Sequence, residues 1–186
     1  MTAAQARKPL LEIKHRIGKP PLCFSLESWH TDAASDVVVG RWLSPVDDPF
    51  GHPPGSFSFG VWWKSQHLGA YRLHGPVGNL VGYRFDVCKD VRLSSCKDQG
   101  DSVEFCDLVV DFFLWPNASG ELTAEQGTTF EDLDELDNFR RQGLVSAEDS
   151  RIVELCVHQA TVSPHLLQRA VDEAIDMATL RLLANP

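Results

Sequence analysis

Val103-Glu-Phe-Cys-Asp107-Leu-Val-Val-Asp111-Phe-Phe-Leu-Trp115 is the most apolar strand-like stretch of the chain, and two aspartates interrupt it. Its β-branched and aromatic residues are those of a strand. Side chains alternate across a strand, so Phe105, Asp107, Val109, Asp111 and Phe113 share one face, and Cys106, Leu108, Val110, Phe112 and Leu114 the other. Two pleats put the carboxylates about 7 Å apart. Carboxylates on a half-buried apolar strand are costly unless a positive charge faces them, and a divalent cation is a candidate for that charge.

Upstream of this strand the chain reads as more short strands: roughly 10–16, 22–29, 36–43, 56–63, 70–73 and 80–88. Breaks fall at Gly18-Lys-Pro-Pro21, from Ser44-Pro45 through Pro53-Pro-Gly55, and at Gly75-Pro76 with Gly78-Asn79. Pro116 to Gly120 reads as a turn. Many short strands at close spacing predict an antiparallel barrel or sandwich. Downstream the pattern turns helical. Asp132–Gln142 ends at Gly143, Ser146-x-x-Asp149 resembles a capping box ahead of 151–159, and Ser163-Pro164 offers an N-cap followed by proline at the first helical position. In that last helix Leu166, Leu167, Ala170, Val171, Ala174, Ile175 and Ala178 form one apolar stripe. The expectation is α+β: one domain over 1–186, with a barrel-like core at 10–128 and a helical extension at 130–184 packed on it.

Composition narrows the function. A net charge of −9 argues against DNA and against an anionic membrane surface, whose ligands carry basic stripes. No apolar run approaches the ~18 residues of a membrane span, and Met1 to Pro9 lacks the apolar core of a secretory signal. Cys23, Cys88, Cys96, Cys106 and Cys156 are odd in number and without C-x-x-C spacing. They predict reduced thiols in a cytoplasmic protein, where the Asn117-Ala-Ser sequon is without meaning.

The candidate chemistry is acidic. Asp132 and Glu135 open the first helix three residues apart and share a face, although the macrodipole alone favours acids there. Asp86 joins Asp107 and Asp111 if 80–88 neighbours 103–115. Oxygen-only ligands select Mg²⁺ or Mn²⁺ over zinc. Such a cluster could hold two ions ~4 Å apart, an arrangement used for cleaving phosphate esters and anhydrides. Arg84 shares the face of Asp86 and either clamps a phosphate or pairs with the acid. Tyr71 and Trp63 are open to stacking on a nucleobase, although strand aromatics are usually core. The seven histidines show no ligand spacing, and no P-loop or G-x-S-x-G motif is present.

From about Leu11 to Asp149 the chain resembles the family called domain of unknown function 402. The matching segments are Glu12-Ile-Lys14-His-Arg16; Ser56-Phe-Ser58-Phe-Gly60 with Trp62-Trp63; Gly82-Tyr-Arg-Phe-Asp86-Val; Asp107-Leu-Val-Val-Asp111; and Asp132-Leu-Asp134-Glu135-Leu136 with Gly143. The family includes nucleoside di- and triphosphate hydrolases and the cytidylyl-phosphonate hydrolase of fosfomycin biosynthesis. The resemblance implies a barrel-like core with helices on one side and a Mg²⁺ or Mn²⁺ site, with Co²⁺ a further option. A family metal-binding asparagine falls on Asp86, the strand aspartates on Asp107, Val109 and Asp111, and the helix-start pair on Asp132 and Glu135. The middle strand aspartate is therefore missing. Lys14 matches a family lysine that meets substrate phosphate as a point charge. The arginine some members use as proton donor has no equivalent near Pro20-Pro21-Leu22. The expected activity is metal-dependent phosphoanhydride hydrolysis on a small nucleotide-like substrate, with Lys14 and Arg84 holding phosphate oxygens. An RNA-binding or RNA-processing module and a catalytically inactive scaffold are the alternatives. The sequence leaves the oligomeric state open.

Overall fold

The computed structural model describes residues 7–32, 34–45, 52–96, 100–116 and 128–184. Eight strands come first: β1 (Pro9–Arg16), β2 (Leu22–His30), β3 (Val37–Leu43), β4 (Phe57–Trp63), β5 (Leu68–His74), β6 (Leu80–Cys96), β7 (Gly100–Leu114) and β8 (Thr128–Glu131). Helices α1 (Leu133–Arg141), α2 (Ala147–Val162) and α3 (Pro164–Ala184) follow. The sequon at 117–119 lies outside the described residues.

Each strand pairs antiparallel with the next, and β1 returns to pair in parallel with β7, closing a seven-stranded barrel. One edge of β7 is shared: Asp101 to Asp107 face β1, while Asp111 to Leu114 face β8. The α+β class and the barrel are those expected from the sequence. The parallel seam is an addition, because a pairing between the first and seventh strands leaves no local turn signal.

Alternation sorts the strands into two cores. Inside the barrel lie Leu10, Leu26, Val38, Trp62, Cys88, Val103 and Phe105. Trp62 is fully buried there, and glycines make room for it. A Cβ on Gly60 would stand 2.2 Å from the Trp62 ring, and one on Gly69 would stand 3.1 Å from it. Outside the barrel, Val61, Tyr83, Phe85, Val110, Phe112 and Leu114 meet Val153, Cys156, Leu167, Val171, Ala174 and Ile175 from α2 and α3. Phe85 and Phe112 stack at 4.8 Å across the β6–β7 pair. The α3 stripe thus faces the barrel as its spacing predicts, except that Leu166 is exposed.

The capping box forms as read. Ser146 accepts from the Asp149 backbone N–H, and the Asp149 carboxylate accepts in return from the Ser146 N–H. Asp149 also accepts from Lys89 of β6 at 2.5 Å, which ties α2 to the barrel. No described helix is long and apolar enough to cross a membrane.

Candidate active site

The site lies where β7 breaks its register. Asp86 of β6 faces Asp111, and Cys88 faces Asp107, so Leu108, Val109 and Val110 together oppose Val87 alone. This bulge puts Val109 at φ 79°, a left-handed backbone that a β-branched residue seldom adopts. Asp107 Oδ1 accepts the Val109 N–H at 3.1 Å and so braces the turn. Leu108 and Val110 drop into the outer core, while Asp107, Val109 and Asp111 line one cavity.

The positive charge facing the aspartates comes from the protein itself. Lys14 of β1 donates to Asp86 Oδ2 at 2.7 Å and stands 3.3 Å from Asp107 and 3.9 Å from Asp111. Arg84 donates to Asp111 Oδ2 at 2.5 Å, and its Nε lies 3.0 Å from Asp86 Oδ1. All three aspartates and Lys14 are buried. Burial opposes ionisation of Asp86, but Arg84 and Lys14 outweigh it and hold Asp86 below the ordinary carboxylate range. Burial, together with the charge of Asp86, pushes Asp111 upward. Burial also raises Asp107, against the pull of Lys14. Lys14 loses by burial and gains more from the three acids, so it stays charged.

Below this cluster Glu12 is buried inside the barrel, and the Tyr71 hydroxyl donates to it. Burial raises the Glu12 carboxyl to about 7. The Tyr71 ring in turn lies 5.9 Å from the Arg84 guanidinium.

The cavity measures about 180 Å³ and is lined by Lys14, Arg16, Lys19, Arg84, Asp107, Asp111, Asp132 and Glu135, with Ile17, Leu22, Val109 and Phe139 as apolar wall. Asp132 sits at the N-cap of α1 with φ 62° and makes no side-chain capping bond. Its carboxylate therefore lines the cavity without serving the helix, and strain of this kind gathers at functional sites. Glu135 is engaged by Lys19 of the β1–β2 loop, with Nζ at 2.6 Å from Oε1 and 2.9 Å from Oε2.

Six of the seven residues singled out from the sequence thus share one cavity: Lys14, Arg84, Asp107, Asp111, Asp132 and Glu135. Asp86 lies behind them as the partner of Lys14 and Arg84. Trp63 belongs to the outer core and Tyr71 to the barrel interior, so neither lines the cavity. Sequence reasoning missed Arg16, Ile17, Lys19, Leu22 and Phe139. The only signal for the loop residues was their place in a turn beside Lys14.

Asp107, Asp111, Asp132 and Glu135 present only oxygen to the cavity, the donor chemistry a hard divalent cation takes, and Asp111 Oδ1 is buried without a hydrogen bond. As the side chains lie, Lys14 stands among the aspartates, and no three carboxylates, thiols or imidazoles among the described residues converge on one metal position.

No family profile and no curated protein matches the sequence. Solved structures match in shape. The complex of FomD with CDP superposes with a TM-score of 0.60 at 12% identity, over 86% of this chain and 84% of that one. The phosphatase SC4828, solved with the non-hydrolysable nucleotide GPCP, gives 0.57 at 12% identity over 81% and 80%. This chain shares their fold. The protein of unknown function DUF402 from Rhodococcus sp. RHA1 aligns at 0.48, with 16% identity over 74% and 73%. At such identities the likeness is one of fold.

Proposed function

We propose that this protein is a divalent-metal-dependent hydrolase of phosphoanhydride bonds in nucleoside di- or triphosphates or a related nucleotidyl compound. The observation that carries the reading is the convergence of four carboxylates with Lys14, Arg84, Arg16 and Lys19 on one cavity at the β7 bulge. The nucleotides held by two proteins of the same fold, CDP and GPCP, support the substrate class by analogy.

Asp107, Asp111, Asp132 and Glu135 would hold Mg²⁺ or Mn²⁺, with Asp86 behind them fixing Lys14 and Arg84. A bound ion would supply Lewis acidity toward a phosphoryl oxygen and a lowered pKa for attacking water. Lys14 and Arg84 would present charge to the phosphoryl oxygens as negative charge builds during transfer. Water adds to phosphorus, the anhydride P–O bond breaks with its pair leaving on the departing phosphate oxygen, and the water's proton passes to a phosphate oxygen or to solvent. The walls of Ile17, Leu22, Val109 and Phe139 narrow the cavity on its apolar side.

Phosphate release from a panel of nucleoside di- and triphosphates with Mg²⁺, Mn²⁺ or Co²⁺ tests the reading. Turnover with at least one ion, abolished by a chelator, is expected. No release from any substrate with any ion would overturn it and favour the inactive scaffold.

A further inference from the structure

We infer that Arg16, the last residue of β1, and Lys19 of the β1–β2 loop form the arm that receives the substrate's phosphates, and that the Lys19–Glu135 pair is a latch an incoming phosphate breaks. The inference rests on the proposed phosphoanhydride reading of the cavity. It begins with the charges on the cavity floor. Lys14 and Arg84 lie within 2.5–3.9 Å of Asp86, Asp107 and Asp111, so three buried acids face two bases. A phosphate entering from solvent therefore meets two cations that buried acids already engage. Removing one partner of a buried ion pair is strongly unfavourable, so these two cations are poorly placed to capture the incoming anion.

Arg16 and Lys19 are placed differently. Arg16 Nε and Nη2 donate to Pro20 O at 3.0 and 2.8 Å, which ties this end of β1 to the β1–β2 loop. Gly18 turns that loop at φ 65°, close to the Phe139 ring of α1. Arg16 lines the cavity and meets no carboxylate among the described residues. Its guanidinium carries five N–H donors in a planar fork suited to phosphate oxygens, so donors remain beyond the two that hold Pro20.

Lys19 has Glu135 as its acid partner, and the side chains are 44% and 30% exposed. Ion pairs this accessible are weak and screened, so a multiply charged phosphate can displace Glu135 from the ammonium. The same exchange releases a carboxylate into the cavity beside Asp132, where the proposed cation needs an oxygen donor. Substrate capture and completion of the acidic rim are then one event.

Two measurements test the arm and the latch. The first is the KM for a nucleoside diphosphate at saturating Mn²⁺. Lys19→Gln and Arg16→Gln should each raise it about tenfold or more with kcat within about threefold, the signature of lost uniform binding. Lys19→Arg should restore most of the affinity, and melting curves identify any variant that has lost the fold. The second is calorimetric binding of inorganic pyrophosphate without metal. Glu135→Gln should bind it more tightly than wild type, and Lys19→Gln/Glu135→Gln should lose that gain. Unchanged KM in folded Lys19→Gln would overturn the arm, and pyrophosphate affinity unaltered by Glu135→Gln would overturn the latch. Wild type without turnover on any nucleotide would instead overturn the function on which both rest.

Discussion

Asp107 serves the site twice, once by charge and once by the bond from Oδ1 to the Val109 N–H. Substitution separates the two. Asn keeps the acceptor and removes the charge, leaving Asp86 and Asp111 balanced against Lys14 and Arg84. Asp107→Asn and Asp111→Asn should therefore abolish phosphate release while melting within a few degrees of wild type. Asp107→Ala also orphans a buried N–H, which costs about 1–3 kcal/mol, so it should melt below Asp107→Asn. Equal melting of the two would remove the brace from the account, and near-wild-type turnover of either asparagine variant would remove the site. Glu12 reports on the interior. Its carboxyl, ordinarily near 4.5, titrates at about 7 because burial disfavours its charge. Between those values the unfolded chain has released the proton and the folded chain keeps it, so stability falls as pH rises through this window. Glu12→Gln retains an acceptor for Tyr71. The variant should lose less melting temperature than wild type between pH 5 and pH 8; parallel profiles would contradict a neutral buried Glu12.

At the level of elements, the barrel interior is shaped around Trp62. Ala at position 60 would place a methyl inside the indole's van der Waals surface. Overpacking of this sort costs about 1–3 kcal/mol, and Gly60→Ala should show it as a lowered urea midpoint with an unchanged m-value. These strands illustrate what was legible. β1 to β5 match their apolar runs to within two residues at each end, and the Ser146–Asp149 box announced α2 directly. β6 continues to Cys96, well past the expected end near Cys88, because Lys89, Asp90 and Arg92 break the apolar pattern while the pairing resumes beyond a register shift between Lys89 and Arg92. The bulge at Val109 could not be read, since a β-branched residue in an apolar strand carries no sign of a left-handed backbone. The aspartates were visible because charge in an apolar strand is anomalous; their partner Lys14 was visible only through the family resemblance. Lys19 and Arg16 had no periodicity to betray them. The pairing of β1 with β7 at Arg16 and the turn that follows bring them to the cavity.

For the whole molecule, the 26 acids outnumber the 17 Lys and Arg, yet Lys14, Arg16, Lys19 and Arg84 gather at one cavity. Anything bound there by the folded state alone stabilises the entire chain, by about 2.7 kcal/mol at a hundredfold excess over Kd. Melting temperature with and without Mn²⁺ therefore reads the site from outside it. Position 109 sharpens the reading, because Val109 lines the cavity where the resembling family carries an aspartate, and at φ 79° Asn and Asp are better tolerated than Val. Val109→Asn and Val109→Asp relieve the backbone alike and give up the same valine packing; they differ in one negative charge. Without metal, Val109→Asp should melt below Val109→Asn, since the new carboxylate joins Asp107 and Asp111, whose ionisation burial already opposes. With Mn²⁺ the order should reverse if the added oxygen donor completes an ion site, and the Mn²⁺ concentration for half-maximal rate should fall. An order that Mn²⁺ leaves unchanged would mean that this chain has adapted to fewer donors. No Mn²⁺ stabilisation of wild type, Val109→Asn or Val109→Asp would count against a metal at the β7 bulge altogether.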